Sequence, residues 1–305
     1  MKTILFRCDS SNLIGSGHVL RCRNLARKLK SQGSKIYFIC REYNSNLIRI
    51  LKKEFEVLSI TEDILNSCIN FYNLGDLPEK RLFQEYDSLA TFELIKKKGL
   101  KDIQWIVIDH YELDNEWEIA IKNKLKDHKN IKLLAIDDLR IRNHSVDIYL
   151  DQNYYNFNAY SKLINDHEDR KNLIGYHYGL LSEEYSLLHN CIPPKEKLLR
   201  LLIFFGGADP QNILTEVVSI LKNENFSHIN IDIVVGAQAE YFEKVKSLVS
   251  DNLNFRIYRN LPSLAGLMAR ADASIGAGGS SALERACLRL PSIVVTFGVD
   301  QEIAS

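Results

Sequence analysis

The feature that most constrains this chain is an alternation that runs from end to end. Short β-branched or aromatic runs at 3–7, 35–40, 103–108, 131–136, 146–150, 199–205, 229–235, 254–258, 272–276 and 292–297 are separated by amphipathic stretches. The runs read as strands and the stretches between them as helices. In 18–32, Val19, Cys22, Leu25, Ala26 and Leu29 fall three or four apart, and Gly33 supplies a C-terminal stop. Arg23, Arg27, Lys28 and Lys30 occupy the opposite face and read as solvated charge. Strands joined through helices pair in parallel, and a parallel sheet is covered on both faces. The expected class is α/β.

A length of 305 residues exceeds one ordinary core and suits two domains. The break is placed at 191–197, where Pro193-Pro194 fits neither a helix interior nor a central strand. The expected domains are therefore 1–190 and 198–305. Each half opens with an apolar strand running into a glycine turn: Phe6-Arg7-Cys8-Asp9 into Gly15-Ser16-Gly17, and Phe204-Phe205 into Gly206-Gly207. Two Rossmann-like, doubly wound parallel-sheet domains facing one another across a cleft follow, with ligands beyond the carboxyl ends of the strands.

Composition narrows the partners. With 39 basic and 39 acidic residues the formal net charge is zero, so no long-range field draws in nucleic acid or an anionic membrane. An anionic ligand must be caught by local geometry. No apolar run approaches the roughly 20 residues of a membrane span. The six cysteines form no Cys-x-x-Cys pair, and several lie in apolar runs such as Ile36-Tyr37-Phe38-Ile39-Cys40. Together with the lack of an N-terminal signal pattern, this favours reduced thiols in a cytoplasmic setting.

Four constellations carry chemistry. In Gly15-Ser16-Gly17-His18-Val19-Leu20-Arg21 two glycines permit a tight turn, and the helix that follows points free N–H groups at a ligand. Leu20 stands where a dinucleotide fingerprint needs a third small residue, so that reading fails, as does a P-loop. The residues alone leave His18 between a catalytic group and a helix-start histidine, and Arg21 between an anion contact and a surface charge. In Phe205-Gly206-Gly207-Ala208-Asp209-Pro210 an N-cap aspartate and a proline at the first helical position mark a helix start. That turn is either a diphosphate cradle or merely a well-capped βα turn.

The third constellation is Gly276-Ala277-Gly278-Gly279-Ser280-Ser281-Ala282-Leu283-Glu284. Glycines, paired hydroxyls and a helix start form a phosphate nest, with Glu284 one turn on and able to take both hydroxyls of a ribose. The fourth is a set of polar strand ends: Asp109-His110-Tyr111, Asp137-Asp138 and Asp151-Gln152-Asn153. Metal binding competes for His110 and the aspartates, but their spacing gives no compact ligand set. The remaining histidines, His144 among them, lie in polar surroundings and need no special role.

In this order and spacing, these motifs resemble the UDP-sugar hydrolase family of pseudaminic acid biosynthesis, within the two-domain GT-B superfamily. Further pieces of the resemblance are Val234-Val235-Gly236-Ala237 and Leu267-Met268-Ala269-Arg270-Ala271-Asp272. It implies hydrolysis of UDP-2,4-diacetamido-2,4,6-trideoxy-β-L-altropyranose to UDP and the free sugar, without metal or cofactor. The product is destined for a nonulosonate of flagellins and surface polysaccharides. The resemblance makes His18 the base that activates water and puts Tyr111 in the sugar site. Gly15, Gly17, Arg21 and Asp109 belong with the substrate. Gly206, Gly207, Gly278, Gly279, Ser280, Ser281 and Glu284 hold UDP.

The family's Asp-Asn-Gln-like signature reads here Val299-Asp300-Gln301; either Asp300 replaces the active-site asparagine, with Gln301 beside it, or the register slips by one. The chain ends at Ser305, where the resemblance implies a further helix or two, so a truncated second domain is expected. The expected partners are a UDP-sugar and water, with no nucleic acid, no stable membrane association, and a monomeric state. A GT-B glycosyltransferase and a non-catalytic nucleotide-sugar-binding remnant are the alternatives.

Overall fold

The computed structural model describes residues 2–11, 13–71, 78–128, 130–153, 170–207, 209, 211–223, 226–236 and 239–296. Two parallel sheets organise them. The first contains β1 (Thr3–Cys8), β2 (Lys35–Arg41), β3 (Glu56–Ile60), β4 (Ile103–Asp109), β5 (Lys132–Ile136), β6 (Ile148–Asp151) and β7 (Lys171–Ile174), in the order β3-β2-β1-β4-β5-β6-β7. The second contains β8 (Arg200–Phe204), β9 (Asn230–Val235), β10 (Phe255–Arg259), β11 (Ala273–Ala277) and β12 (Ser292–Val295), in the order β10-β9-β8-β11-β12.

All ten strands expected from the sequence are present, within two residues at either end. Two more, β3 and β7, are the edges of the first sheet. Half-buried edge strands carry polar residues, as in Lys171-Asn172-Leu173-Ile174, and so lack the continuous apolar run that marks a central strand.

Side chains alternate across each sheet, so each has two cores. In the first, Leu5, Ile106 and Ile108 pack with Trp117 and Ile121 on one face, while Phe6, Phe38 and Val107 pack with Val19, Cys22 and Phe55 on the other. In the second, Ile203, Ile231 and Ile233 meet Val218 and Val245 on one face. Leu202 and Val234 meet Leu264, Met268 and Leu288 on the other. In both sheets the order reverses direction beside the first strand, between β1 and β4 and between β8 and β11. Those switch points open a crevice at the carboxyl edge, where such sheets bind ligands.

The compact units are Met1–Leu180 and Leu181–Ser305. The division falls ahead of the proline segment because helix Glu183–His189 adds Tyr185 and Leu188 to the second core. Ser263 Oγ donates to Glu184 at 2.7 Å, and Lys195 Nζ to the Ala269 carbonyl at 2.8 Å, so the segment 191–197 is strapped to the second unit. Strand β8 begins at Arg200, leaving Leu198 and Leu199 exposed.

His144 departs from the sequence expectation. It is buried, with Nδ1 2.6 Å from Glu118 Oε1 and Nε2 3.0 Å from Asp137 Oδ2. Two carboxylates facing both ring nitrogens require both to carry protons. Burial opposes that charge, but the Asp137 and Glu118 hydrogen bonds prevail and raise the pKa above 6.5. Asp137 is likewise drawn down to about 2 against burial, by His144 and Arg142.

His144 and Asp137 together set a pH window for stability. His144 has a folded pKa above its unfolded value, so its contribution is complete below pH 6.5 and is lost as pH rises through the folded pKa. Asp137 contributes above 3.8 and loses its contribution as pH falls toward 2. Denaturant midpoints measured at constant ionic strength should fall from pH 6.5 into the alkaline range, and fall less steeply in His144→Gln. Equal slopes in the two proteins would show that His144 is not a buried cation.

Candidate functional site

The loop after β1 is built by its own hydroxyls and one left-handed glycine. Ser11 Oγ accepts from the Leu13 and Ile14 amides at 3.2 and 3.0 Å, and Gly15 N donates to Ser11 O at 2.9 Å. Gly15 has φ +81, which an L side chain adopts only with strain. Helix Gly17–Ser31 starts directly afterwards, which sets His18 in its first turn over the end of β4.

His18 is 4% exposed, and its Nδ1 lies 2.6 Å from Asp109 Oδ1. Asp109 closes β4 and is itself fully buried. Burial pushes its carboxyl pKa upward, but the Arg21 guanidinium and the His18 ring overcome this and hold it well below the usual carboxylate range. An ionised carboxylate only accepts, so Nδ1 carries a proton toward Asp109 and Nε2 points away from it. Among the described residues none hydrogen-bonds Nε2.

Arg21, one turn along the same helix, is the clamp. Its Nε and Nη2 donate to both Asp109 oxygens at 2.6 and 2.7 Å, and its Nη1 donates to Asp138 Oδ2 at 2.6 Å. Tyr111 donates its hydroxyl to Asp138 Oδ1 at 3.0 Å and sets its ring edge-on to His18, centroids 4.4 Å apart. Burial and Asp138 raise the Tyr111 pKa, so the phenol is neutral. One network thus joins helix Gly17–Ser31 to the ends of β4 and β5.

A second network mirrors it on the other face of the sheet. Arg7 is wholly buried and donates to Asp9 (2.6 and 2.9 Å) and to Asp87 (3.0 and 2.6 Å). Trp117 Nε1 also donates to Asp87, at 2.9 Å. His110 accepts from the Glu112 amide at Nδ1, and its Nε2 faces Asp9 Oδ2 at 3.1 Å.

In the second unit, Gly206 (φ +92) and Gly207 turn the chain out of β8. Gly236, at the end of β9, must be glycine: a Cβ there would stand 2.1 Å from Gly207 O. Helix Ile213–Asn223 starts beyond the Pro210 that the sequence suggested. Asp209 is buried at φ +43 and accepts from the Ile213 and Leu214 amides, each at 3.1 Å. It caps from four and five residues away, and those two amides are committed to it.

The turn after β11 differs. Gly279 leads into helix Ser280–Cys287, which has no side-chain cap. The first amides of a helix have no intrahelical acceptor. A Cβ on Gly279 would meet nothing, and Ser280 is exposed. Glu284 is partly buried; desolvation pushes its pKa up to about 7, against the Tyr185 hydrogen bond and the Arg285 charge that pull it down.

The first-half expectations are thereby redistributed. His18 and Tyr111 adjoin one another, whereas Arg21 and Asp109 spend their polar atoms on the network itself and act as positioning groups. Arg21 is neither a surface charge nor an open anion contact. Gly17 has open space around it. Asp300 and Gln301 lie outside the described residues. Arg7 and Asp87 carried no site role in the sequence, although a charged residue inside the apolar run of β1 was a visible signal.

Residues 201–302 match the glycosyltransferase family 28 C-terminal domain. The chain is 25% identical to the UDP-2,4-diacetamido-2,4,6-trideoxy-beta-L-altropyranose hydrolase of Campylobacter jejuni, over 98% of this chain and 93% of that protein. Its structure is similar to that of MurG from Acinetobacter baumannii (TM-score 0.62, 14% identity, 100% of this chain and 82% of that one). It is also similar to a doubly substituted Os79 of O. sativa in complex with UDP (TM-score 0.64, 13% identity, 100% of this chain and 83% of that one). The fold is of the GT-B type, with two parallel-sheet α/β units.

Replacing Asp109 by Asn would leave a buried guanidinium with half its counter-charge. Removing one partner of a buried pair costs about 3 kcal/mol or more. Tyr111→Phe, which deletes one hydroxyl bond, is expected to cost about 1 kcal/mol. Urea denaturation checks both, and a wild-type midpoint in Asp109→Asn would show that the carboxylate does not hold the network.

Proposed function

We propose that this protein is a UDP-sugar hydrolase acting on UDP-2,4-diacetamido-2,4,6-trideoxy-β-L-altropyranose, with His18 as the base. The observation that carries the reading is the His18–Asp109 pair: an imidazole oriented through Nδ1 by an ionised carboxylate, with Nε2 left for chemistry. The likeness to the Campylobacter hydrolase along nearly the whole chain supports the substrate.

In this reading His18 Nε2 takes a proton from water as the water oxygen attacks the anomeric carbon. The bond from that carbon to the diphosphate breaks, and UDP leaves as an anion. Asp109 stabilises the imidazolium that forms, and Arg21 keeps Asp109 ionised. Tyr111, neutral and edge-on to His18, borders the sugar. The turn 278–281 and the Gly206-Gly207 turn take the diphosphate, whose growing charge N–H groups stabilise without a metal. Glu284 takes the ribose hydroxyls. The free sugar then passes to pseudaminic acid synthesis.

The match to the family 28 C-terminal domain favours a second reading, sugar transfer to an acceptor. The acceptor decides between them. Incubation with the diacetamido UDP-sugar should release UDP in water alone; release only on adding an acceptor would establish a transferase.

His18→Asn should lower UDP release by about a thousandfold, a general base contributing 10²–10⁴, while UDP affinity stays near wild type. A collapse of affinity would make His18 a binding residue. Uridine affinity should decline as pH falls below about 7, because hydroxyls donate to the ionised Glu284. Glu284→Gln should remove that dependence, and a Gln variant with the wild-type pH profile would refute the ribose assignment.

A further inference from the structure

Arg7 and Arg21 each lie between two aspartates; Arg285 does not. It is 2% exposed, and its guanidinium turns back beneath the start of its own helix. Nη2 donates to Ala277 O at 2.8 Å and Nη1 to Ser281 Oγ at 3.2 Å, while Nε has no hydrogen-bond partner. Among the described residues no carboxylate comes within ion-pair distance of it. Burial draws its pKa below the ordinary arginine value, opposed only by the charge of Glu284.

The sequence makes room for this arrangement. A Cβ on Gly276 would lie 2.8 Å from Arg285 Nη1 and 2.3 Å from Phe204 O. A buried cation held only by neutral oxygens is unfavourable unless something supplies the opposite charge. The turn 278–281 lies at the same helix start: a Cβ on Gly279 would meet nothing, and the helix N-terminus adds its own positive end.

We infer that Arg285 is the buried counter-charge and positioning residue for a diphosphate seated on the turn 278–281. The inference rests on the nucleotide-binding reading above and adds the residue that makes it selective for the diphosphate. Arg285 acts through the turn. Its Nη1 occupies a lone pair of Ser281 Oγ, which leaves the hydroxyl proton for a phosphate oxygen. Its Nη2 fixes the Ala277 carbonyl, so the amides after it keep one direction.

Calorimetric titration of wild type, Arg285→Met and Arg285→Lys with UDP, uridine and inorganic pyrophosphate tests this. Arg285→Met should lose about tenfold or more in affinity for UDP and pyrophosphate, well beyond the smaller loss for uridine that follows when Glu284 no longer has the Arg285 charge holding its pKa down; Arg285→Lys should keep part of it. Parallel weakening of UDP and uridine would reduce Arg285 to a structural support, and unchanged UDP affinity would remove its role altogether. Where Arg285→Met loses cooperative unfolding, Ser281→Ala carries the same contrast, since it deletes the hydroxyl that Arg285 orients. A wild type that binds pyrophosphate through Arg285 but neither UDP nor uridine would refute the nucleotide reading and uphold the charge. Binding of neither UDP nor pyrophosphate would overturn the inference.

Discussion

Two arginines reach the carboxyl edge of the first sheet from opposite faces, and the site depends on them. Arg7 pairs with Asp9 and Asp87 on one face; Arg21 pairs with Asp109 and Asp138 on the other. In a parallel sheet every strand delivers its carboxyl end to the same edge, so acidic loop residues gather there. Buried unpaired, they would protonate or open the fold. Paired with guanidinium forks they stay ionised, and an ionised Asp109 is what sets the His18 tautomer. The stability of the edge and the chemistry of the histidine are the same electrostatic arrangement.

The second sheet solves a different problem. Its crevice is formed by backbone, with Gly236 against Gly207 and Gly276 against Phe204, approaches that a single Cβ would block. Where the first unit pairs its buried arginines with carboxylates of its own, the second leaves Arg285 without a carboxylate partner among the described residues and Glu284 with a raised pKa. A polar network completed within the protein orients a reagent, whereas one left incomplete selects a ligand that completes it.

Much of the fold was legible because parallel central strands are apolar on both faces and stand out as runs. Edge strands β3 and β7 were not, since one side of each meets solvent. The site was legible in its residue types and only partly in its roles. His18 and Arg21 lie three apart on one helix face, a spacing that says they are neighbours but not what they face. His144 called for no special role because its sequence neighbours are polar; its partners, Glu118 and Asp137, come from a helix and a strand end that only the fold brings to it. The cap of helix Ile213–Asn223 looked local, yet Asp209 reaches amides beyond the proline, which moves the helix start.

By itself, then, the sequence determined periodicity, turn positions and the inventory of chemical groups, because these depend on residues close together in the chain. Tertiary structure decided which group is which. Asp109 became the orienting group for His18, Arg21 a clamp and Arg285 a charge with no carboxylate partner among the described residues, through contacts that strand order and helix packing create. A carboxylate's or guanidinium's role is set by the charges and the dielectric around it, and those are properties of the folded chain.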